Sequence, residues 1–385
     1  MSINLEFSDR LKQLPPYLFA EIDKAKRAAR AQGRDILDLG VGDPDAATPS
    51  FIIEALHQAA KDGKNHHYAF NAGMPELRQT IARWCQKRFS IALDADTEIY
   101  PLIGSKEGLA HLPLGIVNPG DNVLVPDPAY PAYRSSVIFA GGNVVPLPLL
   151  AKNGFLPDLG QIKNAKAVFL NYPNNPTSAT LPKAYMKDLV AQAKKEGVII
   201  ISDLAYSEVY FDALKPSSLF EIDGAKDVAI EFHSFSKTFY MTGWRIGWAC
   251  GNTKLIAALA KVKTNIDSGI FQAIQIAGIE ALLKGDDAVA QMRSLYQQRR
   301  DAFVQGLRNI GWDVPSPKAT FYVWAPIPKI FKDSMEAAKT FLEKADIVAT
   351  PGVGFGKHGE GFIRMTLTVE KEKLLQAVER LKKIL

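Results

Sequence analysis

Cysteine is almost absent from this chain. Two occur in 385 residues, Cys85 and Cys250, both in apolar contexts. They read as buried core thiols of a reducing compartment, which excludes a disulfide framework. Long apolar runs are missing as well. No stretch of about 18 uncharged apolar residues occurs, so no membrane span is expected. The first twenty residues carry Glu6, Asp9, Arg10 and Lys12 without a continuous apolar segment, so neither a signal peptide nor a location other than cytoplasmic is expected. Neither sign of charge dominates: 46 Lys and Arg face 41 Asp and Glu, a net +5. The densest basic cluster, Lys24, Lys26, Arg27 and Arg30, falls on an amphipathic helical stretch and reads as a solvated face. With no basic stripe interleaved with aromatics, nucleic-acid binding is not expected. A mild positive balance instead suits small anionic substrates. No internal repeat or low-complexity tract stands out.

What the chain does contain is an ordinary globular composition, 47% apolar and 23% charged, at a length typical of two compact lobes. Short apolar runs alternate with longer helical patterns, the mark of α/β layering. Strands are predicted at Asn122–Pro126, Ala167–Asn171, Val198–Ser202, Ala229–His233 and Ile246–Cys250. Val198 to Ile201 is apolar at every position, so this strand belongs in a sheet covered on both faces. Helices are predicted at Pro75–Lys87, Lys183–Lys195, Leu255–Lys263 and Ala288–Asn309, the last stopping at Gly311. Strands at Thr320–Trp324, Ile347–Thr350 and Phe362–Thr368, with helices at Ser334–Lys344 and Glu370–Lys383, form a smaller α+β lobe. The expected division is 1–48 as an N-terminal arm and part of the small domain, 49–285 as the large domain, and 286–385 as the small C-terminal domain.

Three features follow apolar runs at the carboxyl ends of predicted parallel strands, where open α/β sheets place ligands. Ser234-Phe235-Ser236-Lys237, with Arg245 eight residues on, suits a Schiff-base site for an aldehyde cofactor that carries a phosphate. A lysine amine condenses with a carbonyl once desolvation lowers its pKa, and hydroxyls with a guanidinium suit phosphate oxygens. Alone, the run would read as a solvated loop. Asp203, in Asp203-Leu204-Ala205-Tyr206, ends the most apolar strand. It either caps a helix or pairs with a cation such as a protonated ring nitrogen. Asn171-Tyr172-Pro173-Asn174-Asn175-Pro176-Thr177 enforces a turn, and in isolation it reads as a plain surface turn. Three such loops converging on one site are far less probable by chance than any one of them. Gly40-x-Gly42 and Gly352-x-Gly354-x-Gly356 lack the spacing and strand-to-helix context of a dinucleotide fingerprint.

In order and spacing, these residues resemble the class I pyridoxal-phosphate aminotransferases of fold type I. Asn175 is followed by Asp203 28 residues on, Tyr206 three further, Lys237, Arg245, and Arg364 on the late strand. The resemblance covers essentially the whole chain. It implies a mostly parallel seven-stranded sheet between helices, a smaller α+β domain, and pyridoxal 5′-phosphate bound in the large domain. It implies that Lys237 forms the Schiff base and shuttles a proton, and that Asp203 keeps the pyridine nitrogen protonated. Asn175 and Tyr206 would bond the ring's phenolic oxygen, and Tyr130 would stack on the ring. The phosphate would be held by the Gly104-Ser105-Lys106 turn, Ser234, Ser236 and Arg245, with Tyr68 reaching it from a neighbouring subunit of a homodimer. Arg364, with Gly42 and Asn175, would take the substrate's α-carboxylate. His66 and His67 are adjacent and point differently, so no metal is expected.

Within that class the chain resembles the LL-diaminopimelate aminotransferase family. The runs that carry this are Phe7-Ser8-Asp9-Arg10-Leu11, Leu14-Pro15-Pro16-Tyr17-Leu18-Phe19, Ile103-Gly104-Ser105-Lys106-Glu107-Gly108, the Asn171–Thr177 run and Phe232-His233-Ser234-Phe235-Ser236-Lys237-Thr238-Phe239. The resemblance implies exchange of an amino group between glutamate and tetrahydrodipicolinate, giving LL-2,6-diaminopimelate for lysine biosynthesis. Two departures flank the cofactor loops: Ser178 stands where glycine usually follows the threonine, and Tyr240 where asparagine is common. The groups reading the distal end of the substrate are expected in the Asn265–Gln272 loop and around Tyr68 to Asn71, across a dimer interface. The alternatives with the same core are aspartate, alanine or aromatic aminotransferases and a C–S lyase. From another class, a regulatory module that keeps the fold without turnover is disfavoured by the intact Lys237, Asp203 and Arg364.

Overall fold

The computed structural model describes residues 5–14, 18–69 and 72–385. Pro15, Pro16, Tyr17 and Asn71 of the expectations above lie outside the described residues. Among the described residues twelve strands run in chain order. They are β1 Leu37–Asp38, β2 Ile99–Leu102, β3 Asn122–Asp127, β4 Asn143–Pro148, β5 Ala167–Asn171 and β6 Ile199–Asp203, then β7 Ala229–Ser234, β8 Gly247–Gly251, β9 Tyr322–Pro326, β10 Ile347–Val348, β11 Thr350–Pro351 and β12 Phe362–Thr366. Seven of them form one sheet in the order β2-β8-β7-β6-β5-β3-β4. Strands β4, β3, β5, β6 and β7 are mutually parallel, and β8 runs antiparallel to both β7 and β2.

The apolar run before Asp203 explains the centre of this sheet. Along β6, Ile200 belongs to the core on one face and Ile201 to the core on the other, so side-chain alternation sends successive isoleucines into two different layers. One layer includes Leu77, Ile81 and Leu189, and the other Leu109, Leu112 and Leu259. Both faces are thus covered by helices, the condition a parallel sheet needs.

Register then brings distant segments to one edge. Asn171 pairs with Asp203, and Asp203 with Phe232, so β5 and β6 end level and β7 runs two residues further along the same edge, to Ser234. Because β8 returns antiparallel, Ser234 pairs with Gly247, and Arg245 just before β8 meets the end of β7. Leu102 of β2 also pairs with Gly247, which brings the Gly104 turn to the same edge.

A second sheet has the order β11-β12-β9, all antiparallel, with Arg364 opposite Trp324 on one side and Thr350 on the other. The N-terminal segment joins the late part of the chain: β1 pairs in parallel with β10, Leu37 opposite Ile347. The predicted strand Ile347–Thr350 is therefore two strands. Ile347 and Val348 pair with β1, while Thr350 and Pro351 pair with β12. The helix Asp286–Asn309 buries Tyr296, Arg299, Phe303 and Leu307, packs along the C-terminal helix Lys371–Leu381, and closes with Gly311 in the left-handed region at φ 89°. Cys85 and Cys250 are both buried and free. No helix among the described residues is long and apolar enough to cross a membrane.

Candidate active site

A cavity of about 630 Å³ opens at the carboxyl edge of the seven-stranded sheet. Its wall includes Gly42, Ser105, Lys106, Tyr130, Asn175, Asp203, Tyr206, Ser234, Ser236, Lys237, Arg245 and Arg364, which the sequence motifs had singled out one loop at a time. Tyr68 is the exception. It is 88% exposed and does not line the cavity of its own chain.

Lys237 lies in the single helical turn Phe235–Thr238 that starts as β7 ends. Ser234 caps this turn by accepting the Ser236 N–H at 3.1 Å. The Lys237 amine donates to the Gly42 carbonyl at 3.0 Å and lies 5.5 Å from the Phe321 ring centre. Burial pulls its pKa down to about 8, Arg245 and Arg364 adding to the fall and Asp43 opposing it. That is the environment of a nucleophilic lysine, not of a solvated one.

Asp203 is buried at the end of β6, and desolvation raises its carboxyl to about 6. The Tyr133 hydroxyl donates to its Oδ2 at 2.6 Å, and the Ala205 N–H to its Oδ1 at 3.2 Å. Tyr206 is buried as well, its phenol held well above the usual range by desolvation and 3.0 Å from the Tyr322 hydroxyl.

The asparagine-proline loop is not the surface turn that it would be in isolation. Residues Asn171 to Ser178 are buried throughout. Their amides satisfy the backbone from within. Asn171 Oδ1 accepts the Asn175 N–H at 2.8 Å, Asn174 Oδ1 accepts the Thr177 N–H at 2.9 Å, and Asn171 Nδ2 donates to the Asp203 carbonyl at 2.8 Å. This inward bonding holds Asn175 at the cavity. There Arg364 Nη1 donates to Asn175 Oδ1 at 2.7 Å, while Nη2 donates to the Gly40 carbonyl at 2.7 Å. The guanidinium lies 4.2 Å from the Tyr322 ring centre and 4.6 Å from that of Phe355, so it is fixed by both forks and faces.

At the other end of the cavity the helix Ser105–Ile116 begins at Gly104 with no side-chain cap. Ser105 and Lys106 of its first turn line the cavity, and a helix start attracts an anion. Gly104 sits at φ 77°, and a Cβ there would overlap the Arg245 guanidinium; a Cβ on Gly247 would lie 2.9 Å from the Ser105 nitrogen. Two glycines thus let the helix start, Arg245 and the Ser234–Ser236 turn close around a common point. The chemistry of this cradle of donors suits a phosphate, and Tyr130 and Asp203 line the same cavity.

Tyr133 and Tyr322 were not expected at the site. Tyr133 follows Tyr130 by three residues across the turn that enters the helix Ala132–Ala140, and the two rings meet at 5.8 Å. Tyr322 lies within β9, and nothing local marked it; pairing with Thr366 two residues past Arg364 brings it in. A Cβ on Gly42 would overlap the Tyr322 hydroxyl, so glycine is required where the two meet. Among the described residues two clusters have metal-ligand residue types, Glu231 with His233 and Cys250, and Glu107 with His111 and Asp267. Both have their carboxylates engaged. Glu231 accepts from the Ser218 hydroxyl at 2.7 Å and the Leu219 N–H at 3.0 Å, and Lys263 bridges Glu107 and Asp267 at 2.8 and 2.6 Å.

Residues 34–381 match the family model described as aminotransferase class I and II. The chain is 50% identical over 383 residues to the LL-diaminopimelate aminotransferase of Halothermothrix orenii, covering 98% of each. It is 52% identical over 384 residues to that of Aquifex aeolicus, covering 98% of this chain and 99% of the relative. Among solved structures, a substrate-bound BacF from Bacillus subtilis superposes with a TM-score of 0.94 at 36% identity, covering 99% of this chain and 98% of that one.

Proposed function

This chain belongs to the class I and II aminotransferase family, and from that premise we propose that it is a pyridoxal-phosphate enzyme moving an amino group between glutamate and tetrahydrodipicolinate, giving LL-2,6-diaminopimelate. The observation that carries the reaction class is the Lys237 amine, buried, lowered to about 8, and in one cavity with Asp203 and Arg364. The substrate rests on the half-identical relatives of that name, matched over nearly their whole length.

When bound, the cofactor supplies an aldehyde that accepts an amine and a ring that draws electrons from the substrate's α-carbon. Lys237 would be the amine that holds this aldehyde, and its Nζ would take and return the proton at the substrate's α-carbon. Asp203, as a buried anion, holds the proton on the ring nitrogen. Asn175, whose Oδ1 is taken by Arg364, would have its amide N–H₂ for the ring's phenolic oxygen, and Tyr206 would add its hydroxyl. Tyr130 covers a ring face. Ser105, Lys106, Ser234, Ser236 and Arg245 hold the phosphate. Arg364 receives the α-carboxylate of each amino and oxo acid beside Gly42, and its fork fixes which α-hydrogen faces Lys237.

We read residues 49–285 as the cofactor domain, 1–48 as an N-terminal arm and part of the small domain, and 286–385 as the small domain, and place the enzyme in the cytoplasm. We also propose a homodimer that shares its active sites, Tyr68 reaching the phosphate of the partner copy. The surface that supports this joins two segments: Gln272 Nε2 donates to the His67 carbonyl at 3.5 Å, and His66 packs edge-on against Phe271. It leaves Tyr68, Ile266 and Phe271 exposed.

Single-turnover spectra of the purified protein with LL-diaminopimelate, aspartate, alanine and phenylalanine test the substrate. LL-diaminopimelate should convert the cofactor to its amino form fastest, and 2-oxoglutarate should return it. A protein inert toward LL-diaminopimelate but active on aspartate, alanine or phenylalanine would sink the substrate assignment and keep the reaction class. Pyruvate and ammonia released from cystathionine would move it to the lyases.

A further inference from the structure

We infer that Tyr133 is a positioning residue for the cofactor's ring nitrogen, acting through Asp203. The inference rests on the pyridoxal-phosphate reading of the cavity. Asp203 has the chemistry to hold a proton on a ring nitrogen only as an anion, and a desolvated carboxylate with too few donors reverts to its neutral form. Few donors reach it. Its Oδ1 has the Ala205 N–H at 3.2 Å, a long bond, and its Oδ2 has the Tyr133 hydroxyl at 2.6 Å. The latter is in the range of a charge-assisted O–H to carboxylate bond, which is about twice as strong as a neutral one.

The phenol is built to stay where it is. Tyr133 is 1% exposed, and its ring stacks on Phe169 of β5 at 5.0 Å with an interplanar angle of 15°. Its other side meets the edge of Tyr130 at 5.8 Å and 78°. Burial and the Asp203 charge hold the phenol well above its ordinary pKa, so it remains a donor at any working pH. One side chain therefore touches both the carboxylate assigned to the ring nitrogen and the tyrosine assigned to the ring face. Tyr133 orients the two groups that would grip the pyridine without meeting the reacting atoms itself.

The test is cofactor affinity, measured on the full-length apoprotein by quenching of tryptophan fluorescence. Two probes are compared, pyridoxal 5′-phosphate and its 1-deaza analogue, in which a C–H replaces the ring nitrogen. Wild type should prefer the nitrogen-bearing probe, and Asp203→Ala should erase that preference. Tyr133→Phe should weaken pyridoxal 5′-phosphate by about tenfold, the loss of one hydrogen bond to a charged group, while the deaza probe changes less than about twofold. Equal weakening of both probes would make Tyr133 a packing residue only and overturn the inference, as would no change in either. A preference that survives Asp203→Ala would instead overturn the cofactor reading of the site. Far-UV circular dichroism checks folding. If Tyr133→Phe does not fold, Tyr133→His, which keeps a ring N–H donor, is compared in the same way: a preference between those of wild type and Asp203→Ala supports the inference, and one equal to Asp203→Ala's with an intact fold overturns it.

Discussion

At the scale of the residue, the site works by keeping two charges where water would have made them ordinary. Lys237 ordinarily titrates at 10.5, and burial brings it to about 8. Between those values the unfolded chain holds a proton that the folded site has released, so stability rises with pH through that window. Below about pH 8 the apoprotein carries the full penalty of a buried ammonium, about 3 kcal/mol at 1.36 kcal/mol per tenfold change in proton affinity. Lys237→Met should thus make the apoprotein more stable at pH 7 by up to that amount, the advantage fading toward pH 10.5, while transamination is lost. Urea unfolding at pH 7, 9 and 10 checks it. A variant less stable at pH 7 would show that the amine is not held against its own desolvation. Arg364 gives a second expectation. Its two η nitrogens are fixed on Asn175 and Gly40, and its faces lie on Tyr322 and Phe355. A lysine keeps the charge and loses the fork and the stacking, so Arg364→Lys should lower kcat/KM by about a hundredfold for every amino-acid substrate alike. A loss confined to one substrate would assign Arg364 to a distal group instead.

At the scale of the element, the decisive fact is that β5, β6, β7 and β2 all end at one edge of the sheet, where β8 begins. The parallel strands were legible because each is a short apolar run followed at once by a polar loop, and Ala167–Asn171 matches its predicted bounds residue for residue. What escaped has physical reasons. Strand β4 carries Pro146 and Pro148 at an edge and is only half buried, so its pattern does not read as a strand. The helix Gln272–Lys284 buries Ala273, Gln275, Ala277, Gly278, Ala281 and Leu282, too much of its circumference to show a 3.6-residue stripe. Tyr322 reaches the site through sheet pairing, which no local pattern encodes. The two departures from the family pattern also acquire a cause. Ser178 and Tyr240 have φ of 60° and 55°, the left-handed region that glycine and asparagine enter most easily. Ser178 offsets its strain with hydrogen bonds to Thr320 Oγ1 at 2.7 Å and the Tyr322 carbonyl at 2.8 Å. Relief of strain is worth about 1 kcal/mol and two buried hydrogen bonds about 2. Ser178→Gly should therefore destabilise the protein by about 1 kcal/mol in urea unfolding, and a gain in stability would show that the bonds do not offset the strain.

At the scale of the whole molecule, the site is lopsided. Donors for a phosphate surround it on its own chain, yet Tyr68, the residue that the family pattern assigns to the phosphate from a neighbour, points into solvent at 88% exposure. A tyrosine so exposed, next to the contacts of His66 with Phe271 and His67 with Gln272, is explained if a second copy covers it, and in the proposed two-fold dimer each copy would lend its tyrosine to the other's cavity. The consequence is a mixing experiment. Lys237→Ala lacks the amine in its own cavity, and Tyr68→Ala lacks the tyrosine that it would lend. Each homodimer is impaired at both sites. A hybrid dimer gathers both defects in one site and leaves the other with both native residues. Equal amounts unfolded and refolded together should form hybrids in about half of the dimers, and so recover about one quarter of wild-type activity. Sedimentation equilibrium should report a dimer throughout. Activity no greater than the average of the two parents, from a mixture that sediments as a dimer, would place Tyr68 outside the partner's site.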